Sequence, residues 1–230
     1  MTSTRIDLAG LTTRIVGPAD AAITCVLFHG FGAPGDDLVP LAEVFAAPVR
    51  FVFPAAPLEL GGMYGGARAW WMIDFARIEA DRARGTDRRD EIPAGLAEAR
   101  TQVLALLDQL QAQPAIAQGQ LVLGGFSQGA MVALDAALHR AAPPAGLILM
   151  SGTLIASPVW QPRMAKLAGV PIALSHGQQD PILPFRMAEV LRDQLIAAGA
   201  AVDWRPFRGG HEIPAAAIEG AAALLDRLAP

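Results

Sequence analysis

The stretch Gly125-Phe126-Ser127-Gln128-Gly129 decides how this chain is interpreted. The residues before it, 121–124, are apolar or glycine and suit a buried strand, and residues 130–138 suit a helix that is apolar on most faces. A Gly-x-Ser-x-Gly sequence between a strand and a helix is typical of a nucleophile elbow. A side chain at either glycine position would press against the opposite limb of so tight a turn. The pattern predicts a reactive Ser127, and the plainer alternative is a Gly/Ser loop.

Strands and helices alternate on both sides of this stretch. Apolar or alternating runs predict further strands at 11–16, 22–28, 49–53, 146–151, 170–175 and 201–207. Helical periodicity predicts helices at 38–47, 92–113, 158–168, 184–198 and 214–229. Asp37 is expected to cap the first of these helices, and Pro93 to lie in the first turn of the second. The alternation predicts a mostly parallel central sheet with helices on both faces, which binds its ligand beyond the carboxyl ends of the strands.

The whole chain, 1–230, is expected to form a single α/β domain with one irregular insertion at 58–91. A loop section of this length in a compact domain is usually functional or disordered, and the paired Trp70 and Trp71 argue against disorder. We expect the insertion to act as a lid or to line a substrate groove. Met63, Tyr64, Trp70 and Trp71 are the candidate substrate-binding residues, although the aromatic side chains suit a hydrophobic core equally well.

Composition excludes several classes of protein. The formal net charge is −4 and only 17% of residues are charged, with no basic stripe, so nucleic acid is not an expected partner. No apolar run approaches the roughly 20 residues of a membrane span, and the first residues lack the order of a secretory signal. We therefore predict a cytoplasmic protein without stable membrane insertion, although the mature form of an exported protein would have the same features. The single cysteine, Cys25, lies in an apolar run and is expected to be a buried thiol.

An activated serine needs a base within hydrogen-bond reach and a group that orients that base. Of the four histidines, His211 follows the last predicted strand in a glycine-rich loop, where its ring can swing over the sheet edge. His29 and His176 each end a strand and are interpreted as structural histidines that line the site. Asp180 lies just beyond a strand, and Pro181 stiffens its turn. The predicted catalytic residues are therefore Ser127, Asp180 and His211, and the plainer alternatives are a surface loop for His211 and a local cap for Asp180.

Two backbone N–H groups are expected to stabilise the oxyanion that forms when Ser127 attacks a carbonyl group. One belongs to Gln128, directly after the serine, and the other to Phe31 in the sequence His29-Gly30-Phe31-Gly32. Because these donors belong to the backbone, replacing the side chain at 31 or 128 should impair activity less than replacing Ser127.

These motifs together resemble the phospholipase/carboxylesterase family of α/β-hydrolases, which includes the acyl-protein thioesterases. The resemblance spans nearly the whole chain, from the His29 loop through Ala69-Trp70-Trp71 and the elbow to His176-Gly177, Asp180 and Gly210-His211-Glu212. It implies hydrolysis of carboxylic esters, thioesters or lysophospholipids without a cofactor or metal, and a Trp70–Trp71 region that flanks an acyl groove. Many relatives have Gly-Leu-Gly in place of Gly30-Phe31-Gly32 and a second glycine in place of Ala130.

Two further interpretations stay open at this point. Dienelactone hydrolases are similar in fold and in the order of these residues, but their nucleophile is usually cysteine, whereas this chain has Ser127. A hydrolase-like fold can also bind an apolar ligand without catalysis. The expected partner is a small-molecule ester substrate. A homodimer contact on the face around Trp70 is one further interpretation of the aromatic pair.

Overall fold

The computed structural model describes residues 3–45, 48–61, 66–117 and 119–229. Within these ranges the strands are β1 (Ser3–Leu8), β2 (Leu11–Val16), β3 (Ile23–Phe28), β4 (Val49–Pro54), β5 (Leu58–Glu59), β6 (Arg68–Ala69), β7 (Gln120–Phe126), β8 (Gly146–Met150), β9 (Pro171–Gly177) and β10 (Ala201–Phe207). The helices are α1 (Phe75–Ala83), α2 (Leu96–Gln111), α3 (Pro114–Ala117), α4 (Gln128–His139), α5 (Ser157–Trp160), α6 (Phe185–Ala197) and α7 (Ala215–Leu228), with short 3₁₀ helices at Val39–Glu43 and Gln161–Leu167.

The described strands form one eight-stranded sheet in the order β1-β2-β4-β3-β7-β8-β9-β10. All neighbours from β4 to β10 pair in parallel, whereas β1 and β2 form an antiparallel edge and β2 pairs antiparallel with β4. The predicted mostly parallel sheet is therefore confirmed. β1 lay outside the sequence prediction, because five of its six residues are exposed or half-buried and give no apolar run.

Both faces of the sheet are covered, which explains why the central strands are continuously apolar. Along β7, Leu121 and Leu123 pack into a core with α2, α4 and α6, whereas Val122 between them packs into a second core with α7. The same alternation separates Val26 from Cys25 on β3. Two hydrophobic layers thus hold the sheet rigidly and fix the positions of its strand ends.

Two predicted helix starts are wrong. The helix expected at 38–47 is a short 3₁₀ turn, Val39–Glu43, which begins after Leu38 without a side-chain cap, so Asp37 does not cap it. Helix α2 begins at Leu96 and not at residue 92, so Pro93 lies outside its first turn. Gly95 precedes it with φ 92°, a left-handed conformation that glycine adopts without strain.

The insertion at 58–91 contains regular structure that its sequence did not predict. The two-residue strands β5 and β6 pair antiparallel, and α1 follows them. The end of the insertion is fastened to the chain after β8, since the N–H of Ser157 donates to the carbonyl of Arg89 at 2.8 Å and that of Ala156 to Glu91 at 3.0 Å. The end of the insertion therefore lies against the chain that follows β8, at the carboxyl end of that strand.

Candidate active site

Ser127 stands between the end of β7 and the start of α4, as the elbow pattern predicts. Its φ of 55° and ψ of −118° place a non-glycine residue in a sparsely populated backbone region, which costs about 1–3 kcal/mol. The N–H of Ser127 donates to the carbonyl of Met150 on the neighbouring strand at 2.9 Å. The buried sheet and helix on either side therefore hold the strained turn in place.

Glycine is required on both sides of the serine because two chain segments almost touch there. A Cβ at Gly129 would lie 1.9 Å from the carbonyl oxygen of Phe28, and one at Gly125 would lie 2.4 Å from the same atom. No side chain fits in either space. These contacts confirm the sequence argument that a larger residue would press against the opposite limb of the turn.

The structure brings the three predicted catalytic residues together. The Nε2 atom of His211 lies 2.8 Å from the hydroxyl oxygen of Ser127, and its Nδ1 atom lies 2.6 Å from Oδ2 of Asp180. With the proton on Nδ1, that nitrogen donates to the carboxylate and leaves Nε2 free to accept the serine proton. The three residues come from the ends of three different strands, so only the folded sheet unites them.

Hydrogen bonds to both oxygen atoms hold the carboxylate of Asp180 in place. Oδ1 accepts the backbone N–H groups of Ile182 and Leu183, each at 2.8 Å, while Oδ2 faces His211. Burial of Asp180 raises its pKa, but hydrogen bonds from His211 and these N–H groups outweigh that effect and keep the pKa below its ordinary value. Asp180 therefore caps its own turn and presents an ionised oxygen to the imidazole.

The loop that carries His211 packs directly against the loop that carries Asp180. A Cβ at Gly177 would lie 2.1 Å from the carbonyl oxygen of Gly210, so the glycine permits this approach. The ring of Phe126 lies against the imidazole of His211, with centroids 4.8 Å apart and planes at 43°. Phe126 of the elbow motif thus helps to orient the imidazole that faces Ser127.

His29 has a structural position, as predicted. Its Nε2 accepts the N–H of Ala56 at 3.0 Å and its Nδ1 lies 2.8 Å from the carbonyl oxygen of Gly30, which assigns the proton to Nδ1. Burial lowers the pKa of His29 below 6.5, so the ring is neutral at neutral pH.

His176 is buried beside Asp180. Its Nε2 lies 2.9 Å from the carbonyl oxygen of Leu183 and 3.4 Å from Oδ2 of Asp180, so its proton belongs on Nε2. Burial lowers the pKa of His176 as well, which keeps this second imidazole uncharged. Its sequence position predicted a structural histidine that lines the site, and its contact with Asp180 depends on the fold of the 177–183 turn.

The two chain segments that carry the candidate oxyanion donors both adjoin Ser127. A Cβ at Gly30 would lie 3.4 Å from the Cβ of Ser127, so the loop with Phe31 abuts the serine. Among the described residues, neither the N–H of Phe31 nor that of Gln128 has an acceptor. Two unpaired N–H groups beside a nucleophile are the arrangement that an oxyanion needs, and Phe31 and Gln128 remain our candidates for that role.

The side chain of Gln128 has a function that the sequence did not suggest. It is fully buried; its Oε1 accepts the N–H of Trp70 at 2.9 Å and its Nε2 donates to the carbonyl of Trp71 at 2.8 Å. A buried polar amide in an otherwise apolar helix start needs hydrogen-bond partners. That requirement was the feature of the sequence that could have indicated this role. Those partners lie in the insertion, 57 and 58 residues away.

The four candidate substrate-binding residues have different positions. Trp70 is 2% exposed, packs edge-to-face on Phe28 at 5.3 Å and belongs to the core, as the alternative interpretation holds. The expectation that Trp70 flanks a groove or forms a homodimer face is corrected by this burial. Trp71 lines the large cavity described next. Met63 and Tyr64 lie outside the described residues.

A cavity of about 490 Å³ lies between the insertion and the sheet edge. Its apolar walls include Trp71, Ile73, Met131, Leu154, Leu183 and Met187. Two of these residues also touch the predicted catalytic groups: the N–H of Met131 donates to the carbonyl of Ser127 at 3.3 Å, and that of Leu183 donates to Asp180. Met131 and Leu183 thus connect the cavity to the site, and the cavity volume lies in the range of small-molecule sites.

Ion pairs join the segment of the insertion that closes this cavity. Asp81 lies 3.7 Å from Arg77, 3.5 Å from Arg84 and 2.8 Å from Arg88. Glu91 pairs with Arg77 at 3.1 Å and with Arg88 at 2.9 Å. These alternating charges therefore form a network on α1 and the turn after it.

Other types of site find no support in the part of the chain that the structure describes. It contains no cluster of three or more histidine, cysteine or acidic side chains that could hold a metal ion. No helix within it is long and apolar enough to cross a membrane. Cys25 is buried, and burial raises the pKa of its thiol.

Comparison with known proteins defines the class. Residues 12–228 match the model of the Phospholipase/Carboxylesterase family, so the chain belongs to this family and has its α/β-hydrolase fold. The family places the chain among the hydrolases of ester bonds, as the motifs predicted.

Individual relatives and structures agree with this class. Acyl-protein thioesterase 1 of Neurospora crassa is 28% identical over 200 residues, which are 82% of this chain and 79% of that protein. Acyl-protein thioesterase 1 of Kluyveromyces lactis is 30% identical over 188 residues, covering 75% of this chain and 76% of that protein. The crystal structure of esterase PE8 is 29% identical with a TM-score of 0.79, and the match covers 95% of this chain and 99% of that one.

Proposed function

We propose that this protein is a serine carboxylesterase that hydrolyses carboxylic esters through an acyl-enzyme on Ser127. The observation that carries the proposal is the unbroken chain of hydrogen bonds from the Ser127 hydroxyl through His211 to Asp180, at 2.8 Å and 2.6 Å. The roles given to these residues follow from that geometry and from the order Ser…Asp…His of the fold.

In the first half-reaction, Nε2 of His211 takes the hydroxyl proton of Ser127 while the serine oxygen attacks the carbonyl carbon of the ester. The ionised Asp180 holds the imidazole in the tautomer that leaves Nε2 free and stabilises the imidazolium that forms. The N–H groups of Phe31 and Gln128 donate to the new oxyanion. His211 then gives its proton to the leaving alcohol or thiol as the carbon–oxygen or carbon–sulfur bond breaks.

In the second half-reaction, a water molecule takes the place of the alcohol. His211 accepts a proton from the water as the water oxygen attacks the acyl carbon. The tetrahedral intermediate then collapses, its bond to the serine oxygen breaks and His211 returns the proton to that oxygen, which releases the acid and restores Ser127. Every step uses side chains, backbone N–H groups and water, so the mechanism requires neither a metal nor a cofactor.

The cavity beside the site is proposed to hold the acyl group, with the insertion at 58–91 as its cover within a single domain. Its apolar walls, Trp71 and Met131 among them, favour an aliphatic chain. Thioesters are included in the proposed substrate class because two relatives are named acyl-protein thioesterases. A cytoplasmic location and self-association remain predictions of the sequence.

The first test is hydrolysis of p-nitrophenyl esters from acetyl to palmitoyl, with Ser127→Ala as the control. We expect Ser127→Ala to lose at least about 10³-fold in kcat while its circular dichroism spectrum stays that of the wild type. The chain length with the highest kcat/KM reports the size of the cavity. Near-wild-type rates in Ser127→Ala would contradict the proposal.

A second variant separates the role of Asp180 from that of the fold. Asp180→Asn keeps the shape of the side chain and removes its charge, and we expect kcat to fall on the order of 10⁴-fold because the wrong imidazole tautomer faces Ser127. Asp193→Asn is the matched control, since Asp193 lies on α6 in an ion pair with Arg192 away from the site. Equal losses in the two variants would show that the effect is not specific to Asp180.

A further inference from the structure

The two candidate oxyanion donors belong to chain segments far apart in sequence, and one short segment connects both. This bridging segment, residues 68–71, pairs on one side with the loop of Phe31. The N–H of Gly32 donates to the carbonyl of Arg68 at 2.9 Å, and the N–H of Arg68 donates to the carbonyl of Ala33 at 3.1 Å. These two bonds fix the loop immediately after Phe31.

On its other side the bridging segment is fastened to the elbow by the side chain of Gln128. The amide spans the backbone of Trp70 and Trp71, accepting from the first and donating to the second. The amide oxygen of Gln128 accepts one hydrogen bond and the amide nitrogen donates the other. Flipping the amide would break both bonds, so the side chain is held in one orientation. Gln128 therefore combines a candidate oxyanion donor in its backbone with a side chain that holds the bridging segment.

The indole of Trp70 closes the connection. Its Nε1 donates to the carbonyl of His29 at 3.0 Å, one residue before Gly30, and His29 in turn accepts the N–H of Ala56. Arg68 donates from Nη1 to the carbonyl of the same Ala56 at 2.7 Å. The His29–Ala33 loop is thus held at both ends by residues 68–71, with Phe31 between the two attachments.

We propose that the Gln128 side chain and the Trp70 indole are positioning residues that set the spacing between the N–H groups of Phe31 and Gln128. The inference rests on the proposed function, since it concerns how the oxyanion of the ester is held. The alternative is a purely structural role, in which loss of these buried hydrogen bonds lowers stability and leaves the donors where they are.

The physical argument depends on distance. An oxyanion gains most from donors 2.7–3.1 Å away, and a displacement of about 1 Å at a reacting centre can reduce the rate on the order of 10²-fold. Without the Gln128 amide, the N–H of Trp70 and the carbonyl of Trp71 have no partner in a buried position. The segment is then expected to shift to reach other partners, and the Phe31 loop moves with it.

The test compares Gln128→Met and Trp70→Phe with Trp160→Phe. Each of the first two keeps much of the side-chain volume. Gln128→Met removes the two bonds to the backbone of Trp70 and Trp71, and Trp70→Phe removes the bond from the indole to the carbonyl of His29. Trp160 is the matched control, because it is equally buried and its Nε1 donates to Asp135 at 2.7 Å, away from the oxyanion loops. If Gln128→Met does not fold, Trp70→Phe still tests the positioning role. Thermal unfolding shows whether each variant is folded.

We expect Gln128→Met and Trp70→Phe to lower kcat about 10- to 100-fold with KM changed less than threefold. Their affinity for phenylboronic acid, which forms a tetrahedral adduct with the serine, should fall by a similar factor. Trp160→Phe should lower the melting temperature and leave kcat within about twofold of the wild type. A structural role alone would not produce this split between kcat and KM.

Two results would overturn the inference and are distinct from each other. If the wild type hydrolyses esters and both variants keep its kcat and its boronate affinity, the positioning role is wrong and the proposed function stands. If the folded wild type and Ser127→Ala are equally inactive, the proposed function fails and the positioning role fails with it.

Discussion

The elbow carries the candidate nucleophile and the insertion lines the cavity beside it, but different forces hold these two regions. At the elbow, backbone atoms pack so closely that glycine is the one residue that fits at 125 and 129. In the insertion, α1 and the following turn are held by a network of partly exposed charges around Asp81 and Glu91. Close packing does not respond to salt and does not tolerate substitution. Exposed ion pairs are weakened by salt, and replacing one partner costs little stability. The comparison predicts that the elbow resists substitution and that the charge network of the insertion responds to salt.

The largest expected effect is on the free energy of unfolding, when one methyl group is added in the elbow and, for comparison, one in the insertion. Gly129→Ala should destabilise the fold by more than about 4 kcal/mol or prevent folding, because the new Cβ would lie 1.9 Å from the backbone oxygen of Phe28. Gly61→Ala in the insertion has φ +66° with open space around it, so it should lower the free energy of unfolding by only about 1–2 kcal/mol. Urea unfolding followed by tryptophan fluorescence measures both, and similar losses would remove the distinction.

The second expected effect is a dependence of stability on pH that arises at the strand ends beside the elbow. Burial lowers the pKa of His29 and His176 below 6.5, so the folded protein keeps them neutral while the unfolded chain binds protons as the pH falls below 6.5. The unfolded state then gains protons and the free energy of unfolding decreases, by up to about 1.4 kcal/mol per pH unit for each histidine. The pKa of Asp180 is lowered from 3.8, so its contribution is lost only at more acidic pH.

Urea unfolding at intervals from pH 7.5 to pH 5.0 tests this dependence. His176→Gln removes one of the three histidines whose pKa burial lowers, His139 on α4 being the third, and should make the decrease shallower than in the wild type. A free energy of unfolding that stays constant over this range would show that the buried histidines are not kept neutral by the fold.

The smallest expected effect is on the insertion side. Asp81→Asn removes one partner from Arg77, Arg84 and Arg88, and partly exposed pairs of this kind are each worth about 0–1 kcal/mol. We expect a loss of about 1 kcal/mol or less at low ionic strength that disappears near 1 M salt, where the Debye length is about 3 Å. KM for long-chain esters should rise at low salt with kcat unchanged.

Asp193→Asn, which breaks a surface pair on α6 with Arg192, is the control for this change. If Asp81→Asn and Asp193→Asn have the same KM for long-chain esters, the charge network does not shape the cover of the cavity.

The same contrast explains what sequence reasoning could predict. The elbow is local: five consecutive residues, a strand before them and a helix after them specify one geometry. Strand ends in a parallel sheet converge on one edge, so Asp180 and His211 could be assigned from their positions after strands. The helix starts at 38 and 92 were wrong because a left-handed Gly95 and a short 3₁₀ turn at Val39–Glu43 leave no clear periodic signal.

Contacts between distant segments could not be predicted in this way. The bonds of the Gln128 side chain to Trp70 and Trp71, and the approach of His176 to Asp180, depend on where the loops lie in three dimensions. Trp70 illustrates the limit well: one sequence pattern suited a groove, a dimer face and a core, and only its 2% exposure decided for the core. Helix α1 escaped prediction because its sequence alternates charges and has no apolar stripe.

Covalent labelling of the serine tests the central claim most directly. The wild type and Ser127→Ala are incubated with an alkyl fluorophosphonate, digested and analysed by mass spectrometry. The account predicts one phosphonyl group per wild-type chain, located on Ser127, and none on the variant. A folded wild type that stays unlabelled, or carries its label on another residue, would contradict the assignment of Ser127 as the nucleophile and would favour the interpretation as a binding protein.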